Sequence, residues 1–231
     1  MNNSDFKYVF ASEDFRRCSA IRVDNLPSSV DGPFFTSFVR YRVDLKEHID
    51  QYKPLRDFHS IGFVKRIPID LDAPPEDFEL LLLALTHAME AWKVEYGVEF
   101  EFYRFSFSGA KGLHVGIPGK LINLAPMKNP EVYLRRFVEI LVKGLEIEKY
   151  VDFKIYSDHR YFRYSNSQHA STGLYKTPLK PSEVIGLPRG DIFELAKRPR
   201  TADWWIMDRE LAVNPILHNI FLGILSGSKP S

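Results

Sequence analysis

Two aspartates interrupt the apolar run that begins at Ile67, and the stretch VKRIPIDLD, residues 64 to 72, is typical of a strand. Side chains of an extended strand alternate between its faces, so Asp70 and Asp72 share one face while Ile69 and Leu71 enter the core. Two neighbouring carboxylates raise each other's pKa unless a positive charge lies between them. A divalent cation is the commonest solution, since Mg²⁺ and Mn²⁺ prefer oxygen ligands. The alternative is a strand end whose aspartates are solvated or cap the next helix, and this pattern alone leaves both open.

The rest of the chain alternates helix and strand patterns without an internal repeat. One helix is predicted behind Pro74 and Pro75, and another with Asn129 as its cap and Pro130 at its first position. The predicted helices are 76–96 and 129–145, and the predicted strands are 98–107, 113–118, 150–156 and 160–165. Three shorter stretches are predicted as short helices or turns: PSEVIGL, ELAKR and NPILHNIFLGIL. This order predicts a mixed α/β fold, built as one domain over residues 1–231.

Composition limits the partners and the compartment. The chain carries 31 basic and 30 acidic side chains, so its net charge neither favours nor excludes nucleic acid. The basic charge is concentrated, since residues 151–200 hold nine Lys or Arg against five Asp or Glu. A single cysteine, Cys18, excludes a disulfide framework and a cysteine-rich zinc site. With no signal-like start and no apolar run of bilayer length, we expect a soluble, cytoplasmic protein.

A second feature is the stretch SFSGAKGLHVGIP, residues 106 to 118, in which two glycines break the strand pattern. A turn there leaves backbone N–H groups and Lys111 free to face an anion such as a phosphate. His114 then enters the next strand. The alternative is an ordinary hairpin with a hydrogen-bonded histidine, which is the commoner explanation for such a segment in isolation.

A third feature is the stretch from 150 to 179, where Asp152 follows a valine at the start of a predicted apolar strand. A charge in that position needs a reason. Cationic residues follow it, interleaved with Ser, Thr and Asn: Arg160, Arg163, His169 and Lys176. Cations that follow a lone acid suit a metal-bound polyphosphate, although a solvated basic hairpin has the same composition.

Taken together, the three segments resemble the archaeo-eukaryotic primase superfamily, which includes the small catalytic subunit of primase and the primase-polymerases. The first motif of that family, Asp-x-Asp or Asp-x-Glu at a strand end, is matched by residues 70–72, and the second by SGAKGLH, which ends at His114. The third motif is matched most closely, by Asp152, Arg163, Ser167, His169 and the TGL of residues 172–174. The resemblance spans roughly residues 60–180, and it departs at Gly112, where many relatives have serine.

The resemblance implies an RRM-like mixed sheet packed beside a second α/β unit, with the catalytic cleft between them. It implies that two divalent cations, Mg²⁺ or Mn²⁺ and not zinc, are held by three catalytic acids: Asp70, Asp72 and Asp152. It implies nucleoside triphosphate contacts from Lys111, His114, Arg163 and His169, and weaker nucleic-acid contacts from Arg160 and Lys176. The implied activity is that of a DNA-directed primase or primase-polymerase, which makes or extends primers on single-stranded DNA and is associated with the nucleoid.

Other functions remain open at this point. An end-joining or gap-filling polymerase of the same superfamily has the same motifs. A two-metal nuclease or phosphodiesterase also uses clustered Asp and His, but consumes water and needs no triphosphate. A non-catalytic nucleic-acid-binding module could stack bases on Tyr161, Phe162 and Tyr164, but gives no reason for three acids.

Overall fold

A computed structural model of the chain describes residues 5–13, 18–51, 55–157, 160–204 and 211–227. Its strands are β1 (Tyr8–Ser12), β2 (Ser19–Arg22), β3 (Phe35–Ser37), β4 (Val39–Arg40), β5 (Ile61–Val64), β6 (Arg66–Asp72), β7 (Arg104–Phe107), β8 (Gly112–Pro118), β9 (Met127–Lys128), β10 (Tyr161–Arg163) and β11 (Thr177–Leu179). Its helices are α1 (Asp44–Asp50), α2 (Phe78–Tyr96), α3 (Pro130–Val142), α4 (Pro181–Gly186), α5 (Arg189–Leu195) and α6 (Pro215–Leu225).

The predicted fold class is confirmed as mixed α/β. Two four-stranded sheets have the orders β10-β3-β1-β2 and β11-β7-β8-β6, and a smaller sheet has the order β4-β5-β9. Within the described residues, the strand pairs of these sheets are antiparallel. Consecutive elements β6, α2, β7 and β8 form a βαββ unit, in which β8 lies between β6 and β7.

Helix α2 and the apolar face of β6 share one core. The three apolar residues of β6, Ile67, Ile69 and Leu71, are fully buried, and Trp92 of α2 is 2% exposed in the same cluster. Each fully buried aliphatic side chain contributes about 1.5–3 kcal/mol relative to exposure. The indole N–H of Trp92 donates to the Leu141 carbonyl at 2.8 Å, which fastens α2 to the end of α3. The packed layer of α2 and α3 therefore supports β6, whose polar face carries Asp70 and Asp72.

Most predicted elements are found, and two predicted strands are wrong. Only the last four residues of 98–107 form a strand, because Phe100–Phe102 makes a 3-10 turn instead. Residues 150–156 are not a strand either, since Val151 makes one isolated bridge and Phe153–Tyr156 is a 3-10 turn. A short turn buries its apolar residues as well as a strand would, so alternation alone misled the prediction.

Helix α3 begins at Pro130 behind Asn129 as predicted, but the Asn129 side chain makes no capping bond. The helix ends at Val142, before the predicted position, and Gly144 follows with a positive φ of 76°. Such a left-handed glycine is a common helix stop. No helix among the described residues has the length and apolar character needed to cross a membrane.

Candidate active site

The site is built on the polar face shared by β6 and β8. Asp70 pairs with His114 and Asp72 with Gly112 across the antiparallel ladder, while Leu71 points into the core. The prediction that the two aspartates share one face is confirmed. The pairing also explains why His114 is at the site, because the register places it opposite the first acid.

Gly112 allows β8 to approach β6 very closely at the acidic end. A Cβ at this position would lie 1.9 Å from the Leu71 carbonyl oxygen, so no side chain fits. The serine that the primase-type motif often has at this position is thus excluded by this backbone. A nearby hydroxyl is supplied instead by Ser108, which is buried and accepts hydrogen bonds from the Gly112 and Ala110 amides at 3.1 and 3.4 Å.

The turn between β7 and β8 differs from the sequence prediction. Its amides were expected to be free for an anion, but those of Ala110 and Gly112 are bonded to Ser108. The Lys111 ammonium was expected to face a phosphate and instead lies 2.9 Å from an Asp72 carboxylate oxygen. This hydrogen bond raises the pKa of Lys111, which is positive at neutral pH. The cation therefore neutralises the second acid in this state of the chain.

Asp152 reaches the site through the backbone rather than through a strand. Its amide donates to the Asp70 carbonyl at 2.9 Å, next to the bridge between Val151 and Leu71. Its carboxylate accepts from the Lys154 amide at 2.9 Å and so caps the following 3-10 turn. The third acid is thus held beside the first by local contacts.

Asp70 and His114 form the most buried polar pair of the site. The Nε2 atom of His114 lies 3.2 Å from an Asp70 carboxylate oxygen, and both side chains are less than a fifth exposed. Burial would raise the pKa of Asp70, but His114, Lys176 and Lys111 lower it further than burial raises it. Burial and the charge of Lys176 lower the pKa of His114, although Asp70 opposes them. At neutral pH the pair is therefore an ionised carboxylate that accepts a hydrogen bond from a neutral imidazole.

The loop that contains Thr172 and Leu174 packs against the turn between β7 and β8. The Thr172 hydroxyl donates to the Gly109 carbonyl at 2.5 Å, and Gly109 has a φ of 91°, a conformation that favours glycine. A Cβ on Gly109 would lie 2.9 Å from the Leu174 carbonyl oxygen. The Ser-Gly turn and the Thr-Gly-Leu loop thus pack directly against each other.

His169 is oriented by its own loop. Its Nδ1 accepts a hydrogen bond from the Ser171 amide at 3.3 Å and lies 3.0 Å from the Ser171 hydroxyl. Burial and the charge of Arg163 lower the pKa of His169, so the ring is neutral at pH 7. An accepting Nδ1 leaves the proton on Nε2, which can donate to an anion.

Arg163 is positioned on β10 by contacts on both sides. Its guanidinium donates to the Gln168 carbonyl at 3.2 Å and lies 4.8 Å from the Phe35 ring centre. Burial lowers the pKa of Arg163, but a guanidinium titrates so high that it keeps its charge. Ser167 has a structural role, because its buried hydroxyl donates to the carbonyls of Phe34 and Tyr164.

Eight of the nine predicted site residues line one cleft of about 650 Å³, between the two four-stranded sheets. They are Asp70, Asp72, Lys111, His114, Asp152, Arg160, Arg163 and His169. Lys176 is the exception and lines a second cavity instead. Its ammonium donates to the Arg163 carbonyl at 2.8 Å and lies 4.1 Å from the Phe162 ring centre.

Sequence reasoning missed one aromatic residue of the cleft, Phe35, and it considered Phe162 only as a base-stacking residue of a non-catalytic binding module. The Phe162 ring lies 4.3 Å from the His114 ring and separates the cleft from the second cavity, since both residues line both spaces. Phe162 precedes Arg163 in a predicted strand, but its place opposite His114 depends on the packing of one sheet on the other. No local pattern carries that information.

The three carboxylates of the cleft are the donor type that Mg²⁺ and Mn²⁺ prefer. Among the described residues, however, no three His, Cys, Asp or Glu side chains stand together in a group that could hold a metal ion. Each carboxylate is held by another partner: Asp70 by His114, Asp72 by Lys111 and Asp152 by the Lys154 amide. The donor chemistry fits divalent cations, and loading requires Lys111 to release Asp72, which its 57% exposed side chain permits.

Comparison with known proteins adds little to this geometry. No protein-family model matches the chain, and no curated protein matches it. Among solved structures, the chain is similar to the polymerase domain of ligase D from Mycobacterium tuberculosis in complex with DNA. The identity is 13%, the match covers 81% of this chain and 79% of that chain, and the TM-score is 0.42. A TM-score at this level does not establish a shared fold, so the cleft and the motifs alone support a function.

Proposed function

We propose that the protein is a template-dependent nucleotidyltransferase of the primase-polymerase type, which makes or extends primers on single-stranded DNA. The observation that carries this proposal is the gathering of three acids and five cationic or imidazole side chains in one cleft. They come from three segments separated by 36 or more residues, which the fold brings together on opposite walls. The volume of about 650 Å³ lies in the ordinary range of small-molecule sites.

The two walls of the cleft differ in charge, and we assign them different roles. Asp70, Asp72 and Asp152 would hold divalent cations, which would lower the pKa of the attacking hydroxyl and stabilise the charge on the departing pyrophosphate. On the opposite wall, Arg163 and the Nε2–H of His169 donate to phosphate oxygens. Their neighbours already fix both side chains, so they lose little conformational freedom on binding.

Lys111 connects the two functions. In the structure its ammonium neutralises Asp72 at 2.9 Å. If Asp72 held a cation, Lys111 would be released from it and would face the cleft, which it lines. The lysine would then stabilise the acid in the absence of a cation and contact the triphosphate in its presence.

A direct test incubates the protein with single-stranded template, labelled nucleoside triphosphates and Mg²⁺ or Mn²⁺, with and without a primer. We expect template-dependent products, and their length and sugar dependence show whether synthesis begins without a primer. Extension of gapped or broken duplexes alone would favour the end-joining type of polymerase. Strand cleavage without nucleotide incorporation would favour the nuclease, and strand binding with neither reaction would favour a binding module.

A further inference from the structure

A second cavity of about 280 Å³ lies on the other side of the wall formed by His114, Phe162 and Arg163, and we call it the back cavity. Six cationic side chains line it: Arg40, Lys65, Arg66, Arg104, Arg163 and Lys176. Among the described residues that line it, there is no Asp or Glu. Its charge is therefore opposite in sign to that of the three acids in the catalytic cleft.

The same sheet face supports both cavities. Arg66 lies four residues before Asp70 on β6, about 13 Å along the strand at about 3.3 Å per residue. The Arg66 end of the back cavity thus lies away from the acids, whereas His114 in its inner wall lies 3.2 Å from Asp70. His114 and Phe162 lie between the two cavities, and their ring centres are 4.3 Å apart.

A glycine keeps the back cavity open. Gly116 of β8 pairs with Arg104 of β7, and a Cβ built on Gly116 would lie 3.6 Å from both Arg104 and Arg66. These are ordinary contact distances, so the backbone leaves room for a side chain that the sequence does not supply. A glycine in a strand interior often marks a place where a ligand approaches the sheet.

Two buried polar groups also indicate a ligand. The hydroxyl of Ser165 and the Nδ1 of His114 are buried without a hydrogen-bond partner in the described part of the chain. Such groups are rare in folded proteins and need an explanation. A bound ligand with hydrogen-bonding groups supplies these partners, and the cationic side chains of the lining favour an anion.

The residues that line the back cavity favour one class of anion over others. Arginines bind phosphate oxygens in a planar, two-point geometry. His114 directs its Nε2–H to Asp70, so its Nδ1 requires a donor, which a bare phosphate dianion lacks and a sugar hydroxyl or base amino group has. Apolar side chains, Val9, Leu26 and Phe38, complete the walls and suit the flat face of a base or a sugar. The volume is at the lower limit of small-molecule sites, which suits one nucleotide better than a continuing strand.

We propose that the back cavity binds a nucleoside monophosphate, at a site separate from the triphosphate site of the catalytic cleft. This site goes beyond the proposed polymerase activity and does not depend on it. The phosphate contacts the arginines on either side of Gly116, and the sugar or base contacts His114 and Ser165.

Calorimetric titration of the full chain in EDTA tests this proposal, because the catalytic cleft then lacks cations. The probes are the four nucleoside monophosphates, the matching nucleosides, inorganic phosphate and a short 5′-phosphorylated strand. We expect saturable binding of at least one nucleoside monophosphate, and binding at least tenfold weaker in Gly116→Val and Arg104→Gln. His169→Gln, which changes only the catalytic cleft, should bind the monophosphate as the unmodified protein does, and Gly116→Ala controls for folding.

Several outcomes would overturn the proposal. These are no saturable binding by any monophosphate, equal binding of inorganic phosphate, binding of the phosphorylated strand alone, and loss of binding in His169→Gln as in Gly116→Val. Because no step of the titration requires catalysis, its failure leaves the polymerase proposal standing. Conversely, a protein without polymerase activity would still bind the monophosphate.

Discussion

At one end of the β6–β8 face, Gly112 pairs with Asp72 and lies so close to the neighbouring strand that a Cβ would overlap the Leu71 carbonyl. At the other end, Gly116 leaves space between Arg66 and Arg104, with nothing nearer to its Cβ than 3.6 Å. A glycine therefore leaves no space for a Cβ at the acidic end, whereas a Cβ at the basic end would make ordinary contacts. The close approach fixes the positions of the acids that would hold cations, and the looser packing borders the back cavity.

The largest expected effect comes from the acidic end. Replacing Asp70 by Asn keeps an oxygen that can accept from His114 but removes the charge that would hold a cation. Nucleotide incorporation should fall at least about a hundredfold, since a metal-bound transition state loses several kcal/mol of stabilisation. Timed primer extension in Mg²⁺ and Mn²⁺ measures this. Near-normal synthesis by a folded Asp70→Asn protein would show that the acidic end has no catalytic role.

The opposite wall of the cleft should affect binding more than chemistry. His169→Gln removes the imidazole N–H that would donate to the triphosphate, and a hydrogen bond to a charged group is worth about 1.5–3 kcal/mol. We expect the KM for nucleotide to rise about 10- to 150-fold with a smaller change in kcat. Steady-state kinetics at saturating template measures both. An equal loss of template affinity would show that His169 contacts the strand instead.

The packing difference between the two glycines should appear in stability. Gly112→Ala forces a Cβ against backbone and should lower the free energy of unfolding by about 1–3 kcal/mol, the usual cost of overpacking. Gly116→Ala adds the same methyl group where space exists and should change it by less than about 0.5 kcal/mol. Urea unfolding of the two variants makes a matched test. Equal destabilisation by both would show that the basic end is not open.

A further prediction concerns Lys176 and pH. Burial lowers its pKa to about 7, although Asp70 opposes the shift and Arg163 adds to it. The ordinary pKa is 10.5, so between about pH 7 and 10.5 the unfolded chain binds more protons at this position than the folded chain. The stability contributed by this group therefore rises with pH over that window, by at most about 1.4 kcal/mol per unit, and the cost of burial is greatest below pH 7.

Lys176→Met removes this titration. The free energy of unfolding of the original protein, relative to the methionine variant, should increase from pH 7 to pH 9. Urea unfolding at several pH values measures the difference. Asp70 and His114, whose pKa values depend on Lys176, titrate below this pH range because both pKa values are lowered. A difference that is constant with pH would show that Lys176 keeps its ordinary pKa in the fold.

Much of the acidic end could be predicted from sequence, because strand alternation alone places Asp70 and Asp72 on one face. Their pairing with His114 and Gly112 could not, since alternation gives the face of a residue but not its neighbour on another strand. Asp152 was predicted in a strand and instead caps a 3-10 turn, because a turn and a short strand bury similar apolar patterns.

The cluster of cationic residues at the basic end was not predicted from the sequence. Lys176 was expected with the nucleic-acid contacts of the cleft, and the structure places it behind Phe162, in the back cavity. Arg66 and Arg104 carry no motif, and only the register of β8 brings them to either side of Gly116. A site assembled from residues of three neighbouring strands has no signature along the chain.

If the acidic end performs nucleotide transfer, Asp152→Asn should separate triphosphate binding from chemistry. An amide has nearly the shape of the carboxylate and can still accept from the Lys154 amide, but it removes one negative charge from the acids. The measurement combines metal-dependent binding of a non-hydrolysable nucleoside triphosphate with extension and cleavage of one labelled strand. We expect saturable triphosphate binding by both proteins and extension by the original protein alone. Strand cleavage without triphosphate binding, or undiminished extension by Asp152→Asn, would contradict the claim.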